Sequence, residues 1–130
     1  MLIKYDKQAL YERMTTLQAN LPEVEAAAVI SVDGLIMASA LPRSVSEDRI
    51  SAMSAAMLSL GQQINAEMGL GSLEHLYTRG GNGYVVLLAV GKLAVLTTLV
   101  KPEAKMGVLF LELRKAADDL TRLLDGSPSA

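Results

Sequence analysis

The chain has 130 residues, a formal net charge of −2, 51% hydrophobic residues and 20% charged ones. That is enough chain for one globular domain, with no electrostatic excess to draw it to nucleic acid or an anionic membrane. There is no cysteine, which excludes disulfides, thiolate metal sites and cysteine nucleophiles together.

Met1-Leu2-Ile3-Lys4-Tyr5-Asp6 lacks the long apolar stretch of a signal peptide. No apolar run approaches the ~20 residues that span a bilayer, so a soluble, cytoplasmic protein without membrane insertion is expected. From about Asp6 to Asn20, Leu10, Met14, Leu17 and Leu21 follow the three-and-four spacing of one helical face. Asp6 caps the start, and Pro22 ends the helix.

Two strands follow, Ala26 to Val32 and Leu35 to Ser39. The Asp33-Gly34 pair between them predicts a two-residue primed turn, which needs positive φ at both positions. A long helix then runs from about Glu47 to Met68, with Ser44 or Ser46 as N-cap and Gly69 and Gly71 as stop. Three more strands fit Leu73 to Arg79, Tyr84 to Val90 and Leu93 to Val100. Glycine turns at Gly80 to Gly83 and Gly91-Lys92 make them an antiparallel meander. The run from Tyr84 to Val90 is apolar throughout, so it should be central and covered on both faces. Pro102 is expected to open the last helix, whose buried stripe is Met106, Leu109, Leu113, Ala116, Leu120 and Leu124, widened by Phe110 and Ala117. The order α-β-β-α-β-β-β-α predicts an α/β (α+β) fold, a three-layer α/β/α sandwich around one five-stranded antiparallel sheet. It is a single domain over 1–130, its core about 6–124 and residues 125–130 a flexible tail.

The middle helix has no charged residue from Ile50 to Ala66. The stripe Ile50, Met53, Met57, Leu60, Ile64 and Met68 is wide enough to cover the sheet. The remainder, including Ser51, Ala52, Ser54, Ala55, Ala56, Ser59, Gly61 and Gln62, is small and weakly polar. A solvated helix would carry charges there. Small residues let a second helix approach closely, so this face is expected to pack on its own copy across a two-fold axis. The expected dimer interface is Ser51, Ala52, Ala55, Ala56, Ser59 and Gln62 with Leu73, His75 and Tyr77 of the following strand. Ser51, Ala55, Ser59 and Gln62 are also the candidate contacts to a different partner.

Catalytic chemistry finds no footing. His75 is the one histidine, with no G-x-S-x-G elbow or partner motif around it. Glu23/Glu25 and Asp118/Asp119 read as solvated surface rather than metal ligands. The glycines at 80–83 lack a Walker lysine and precede a strand, so they form a turn and not a phosphate loop. No cofactor, metal, nucleic acid or catalytic residue is expected.

The stretch Asp33-Gly34-Leu35-Ile36-Met37-Ala38-Ser39 resembles the hairpin of Roadblock/dynein-light-chain domains, and the small-residue helix from Asp48 to Ala56 follows as it does in that family. Gly83 to Leu87, Leu93 to Thr97 and the helix start Ala104 to Leu109 extend the resemblance over about Leu10 to Leu124. The resemblance implies the middle helix on one face of the sheet and the terminal helices on the other. It also implies homodimers with third strands paired edge to edge and middle helices side by side. Family members bind small Ras-like GTPases, act in dynein or endomembrane complexes, or regulate bacterial polarity; the bacterial gliding-motility members, which this compact chain is similar to, promote GTP hydrolysis on a Ras-like partner without supplying an arginine finger. The function so implied is a non-enzymatic dimeric regulator or scaffold for a small Ras-like GTPase. The alternative is a small-molecule sensor holding a ligand between helix and sheet, which predicts a pocket with convergent polar groups.

Overall fold

The computed structural model describes residues 5–125. Its elements are α1 (Lys7–Asn20), β1 (Val24–Ser31), β2 (Ile36–Ala40), α2 (Glu47–Glu67), β3 (His75–Gly80), β4 (Gly83–Val90), β5 (Ala94–Val100) and α3 (Met106–Asp125). The five strands form one sheet in the order β2-β1-β5-β4-β3, every neighbouring pair antiparallel. The three-layer architecture and its element order stand as expected. The tail expected at 125–130 lies outside the described residues from 126 onward, and Asp125 is still helical.

Local chemistry sets the boundaries. The Asp6 carboxylate accepts from the Ala9 backbone N–H at 3.2 Å, and the Ser46 hydroxyl from that of Arg49 at 3.3 Å. Each satisfies a donor that the first helical turn leaves free. Glu47 and Asp48 add negative charge at the positive end of the α2 dipole.

α1 and α3 cover one face of the sheet. Leu10, Met14 and Leu17 of α1 and Leu109, Leu113, Ala116, Leu120 and Leu124 of α3 pack on Val29, Val86, Leu88 and Leu96 in the main core. Arg13 donates from Nε to Asp119 at 2.7 Å and ties these two helices together, so Asp119 is more than solvated surface. α2 covers the other face over a smaller core of Ala28, Ile30, Leu58, Leu87 and Val95.

Three expectations change. Gly34 alone carries positive φ (+86°) in the β1–β2 turn, while the Gly34 N–H reaches the Ser31 carbonyl at 2.9 Å and the Ser31 N–H reaches the Leu35 carbonyl at 2.8 Å. The loop is thus Val32-Asp33-Gly34, a three-residue turn closed by a left-handed glycine, rather than the two-residue primed form. Pro102 lies in a turn closed by Ala104 N–H to Lys101 carbonyl at 3.2 Å, and the helix begins only at Met106. The middle of the sheet is β5, with β4 one strand out. β4 is apolar because it too is flanked by strands on both sides and covered above and below.

Candidate interaction surface

The orientation of α2 is the main departure from expectation. Ser51, Ser54 and Leu58 are its buried residues, and Gly61 lies over Leu73 and Leu76. These four positions recur at three- and four-residue spacing and form the face that rests on the sheet. Met53, Leu60 and Ile64 are instead 53%, 59% and 58% exposed. The large apolar stripe expected to cover the sheet points outward, and part of the small-residue face lies beneath.

The contacts beneath explain why the small side goes down. Ser54 meets Thr97 of β5, whose hydroxyl donates to Ser54 Oγ at 2.9 Å in a buried pair. The Ser51 hydroxyl donates to the Glu47 carbonyl at 2.6 Å, so it too is satisfied without water. A Cβ added to Gly61 would stand 3.0 Å from Leu76 Cδ2 and 3.1 Å from Leu73 Cδ2. Larger side chains at positions 51, 54 and 61 would hold the helix off the sheet, while Leu58 fits among Ala28, Ile30, Leu87 and Val95. The signal for this orientation is Gly61 itself. A mid-helix glycine costs ~1 kcal/mol relative to alanine, and a close contact compensates for it.

The candidate residues separate accordingly. Ser51 is 1% exposed and cannot meet a partner. Ala55 is half-buried beside Gly34 of the β1–β2 turn, its Cβ facing the glycine. Ala52, Ala56, Ser59 and Gln62 are exposed. Leu73, just before β3, and Leu76 within it face α2, while the His75 ring lies 4.4 Å from Phe110 of α3 and Tyr77 packs edge-on to Tyr84 at 6.1 Å. Leu73 thus sits on one side of the sheet and His75 and Tyr77 on the other. All three lie at or beside one edge, since β3 pairs only with β4 and leaves its outer backbone groups free.

Met53, Leu60 and Ile64 were missed as surface residues. With half-buried Ile50 and Met57 they make a continuous apolar flank along α2, and Met68 (68% exposed) and Leu70 prolong it past the helix end. A contiguous exposed apolar stripe along the charge-free stretch from Ile50 to Ala66 makes this flank the candidate interaction surface. Among the described residues, no group of three or more histidines, aspartates or glutamates is placed to hold a metal ion, and no helix is long and apolar enough to cross a membrane.

A five-stranded antiparallel sheet with two helices behind it and one apolar-flanked helix in front defines a three-layer α/β/α domain. The chain belongs to the Roadblock/LC7 domain family, whose sequence profile matches residues 10–100. It is 30% identical over 97 residues to the uncharacterized protein MJ0310 of Methanocaldococcus jannaschii, covering 75% of this chain and 84% of that one. In structure it is similar to Myxococcus xanthus MglB, at TM-score 0.88 and 14% identity over 100% of this chain and 98% of that one. The gliding protein MglB of Thermus thermophilus superposes at TM-score 0.77 with 21% identity, over 97% of both chains.

Proposed function

We propose that this protein is a non-enzymatic, cytoplasmic homodimer that regulates or scaffolds a small Ras-like GTPase. The observation that carries the reading is the outward apolar flank of α2 on a Roadblock/LC7 fold similar to MglB. In the proposed dimer the flanks Met53, Met57, Leu60 and Ile64 of two copies meet, and the open β3 edges lie alongside one another with Leu73, His75 and Tyr77. Ala52, Ala56, Ser59 and Gln62 then border the paired helices and form the surface offered to the GTPase. Ser51 drops out of both sets because it is buried, and half-buried Ala55 is at most a marginal member.

The alternative reading, a sensor with a ligand between helix and sheet, calls for polar groups converging on a pocket. Between α2 and the sheet the buried hydroxyls of Ser54 and Thr97 bond to each other, and the gap at the helix start is walled by Leu41, Val45, Ile50, Val85 and Leu99. One hydroxyl pair against an apolar wall is not a convergent set of polar groups, so the binding-module reading is preferred.

The test is capture of a Ras-like GTPase from the same organism, loaded with GDP or with a non-hydrolysable GTP analogue. Nucleotide-dependent capture that is lost in an Ala56→Arg variant is the expected result. Equal, negligible capture in both nucleotide states refutes the GTPase assignment.

A further inference from the structure

Beneath the start of α2 lies a cavity of about 150 Å³, lined by Leu41, Val45, Ile50, Val85 and Leu99. Thr97 and Thr98 also border it, but the Thr97 hydroxyl donates to Ser54 Oγ at 2.9 Å, and the Thr98 side chain lies on the other face of the sheet, where it donates to the Val86 carbonyl at 3.0 Å. An apolar cavity of this size stays dry and takes an apolar guest. It is small for a metabolite and has no polar group to orient one. One unbranched or aromatic side chain fits it.

The occupant follows from symmetry, and the step rests on the dimer reading above. A two-fold axis perpendicular to two side-by-side helices makes them antiparallel, so each position faces its mirror position about the axis. The flank residues Met53, Met57, Leu60 and Ile64 are self-complementary about a point between Leu58 and Ser59. That point sets Met57 against the partner's Leu60 and Met53 against the partner's Ile64. The same relation brings Ile50, on the cavity wall, opposite the far end of the partner helix, within a residue of Met68. Met68 is 68% exposed at the helix C-cap, and Gly69 with φ +66° turns the chain away directly after it. Methionine is unbranched and flexible, suited to entering an irregular apolar gap.

We propose that each protomer's Met68 side chain fills the cavity beneath Ile50 of the other, so that the cavity is a socket completed only by a second copy. Two sockets form per dimer, one at each end of the helix pair. Such an anchor in a desolvated pocket is where binding energy concentrates in an interface.

The experiment uses the full chain. Dimers are reconstituted from one protomer carrying ¹³C-methyl methionine and another carrying methyl-labelled isoleucine, leucine and valine, and intermolecular contacts are read by filtered NMR. Sedimentation of the wild type and of Met68→Ala runs in parallel. The expected result is contact from the Met68 methyl to Ile50, Val85 or Leu99 of the other protomer. Met68→Ala, exposed in the isolated chain and so harmless to its fold, should raise the dimer Kd at least about thirtyfold, since two sockets are emptied. A dimer with no such contact, or one indifferent to Met68→Ala, overturns the socket and leaves the dimer standing. A wild type that stays monomeric at high micromolar concentration overturns both.

Discussion

Leu58 and Leu60 lie two residues apart on α2 and have opposite surroundings, 2% and 59% exposed respectively. Replacing each should therefore disturb a different equilibrium. Leu58→Ala removes a side chain packed among Ala28, Ile30, Leu87 and Val95 and should lower the unfolding free energy by about 2–4 kcal/mol, the range for a buried leucine whose site relaxes partly. Leu60→Glu keeps a good helix former on an exposed position, so the stability of the isolated protomer should change by less than about 0.5 kcal/mol. Its effect falls on association. Fully burying a leucine contributes about 1.5–3 kcal/mol, and a little over half of that remains available for the exposed fraction of Leu60. Two copies meet across the axis, so the substitution should cost the dimer about 2–4 kcal/mol, or roughly 30- to 1,000-fold in Kd, before repulsion between the two glutamates is added. Sedimentation velocity across a concentration series measures association, and urea titration of dilute protein measures folding. If Leu60→Glu unfolds the protomer while Leu58→Ala is neutral, α2 is turned the other way and the reasoning about its faces fails. If both variants sediment like the wild type and the wild type is dimeric, the flank is not the interface.

Two further sites test the packing within the sheet and of α2 upon it. A Cβ on Gly83 would lie 2.5 Å from the Val100 carbonyl oxygen, a backbone atom that cannot swing aside, at a φ of +148°. Gly83→Ala should thus cost about 2–3 kcal/mol in urea unfolding, and a loss below half of that would show that β4 and β5 can separate locally without penalty. Ser54→Ala leaves the buried Thr97 hydroxyl without its partner and should cost about 1–3 kcal/mol, whereas Ser54→Ala with Thr97→Val removes both groups and should recover most of the loss. A double variant as unstable as the sum of the two single ones would exclude the coupling.

Much of the fold is legible in the sequence because its signals are local. Leu10, Met14 and Leu17 repeat at a helical period and are buried in α1, and the stripe from Leu109 to Leu124 does the same in α3. Asp6 and Ser46 announce helix starts through the short polar side chains that satisfy free N–H groups. The close succession of β3, β4 and β5 permits only antiparallel pairing. Fine backbone detail was less secure. Asp33-Gly34 fits both a two-residue and a three-residue hairpin, and what distinguishes them is the closing bond from the Ser31 N–H to the Leu35 carbonyl at 2.8 Å, with the Val32 N–H held by the Leu93 carbonyl beside β5 at 3.0 Å. Pro102 can open a helix or sit in a turn before one, and the Lys101–Ala104 turn takes it first.

The absence of charge from Ile50 to Ala66, and with it apolar or weakly polar residues on both sides of α2, was a property of the sequence alone. Which face meets the sheet was not, because both flanks of the helix are compatible with burial and hydrophobicity ranks the larger one first. The tertiary structure decided it through distance. Gly61 over Leu73 and Leu76, and Ser54 against Thr97, allow an approach that methionine and leucine would block. Close packing of the helix on its own sheet therefore selects small residues at 51, 54 and 61 around the one buried leucine, Leu58, and leaves Met53, Leu60 and Ile64 outside, where only a second molecule can remove them from water.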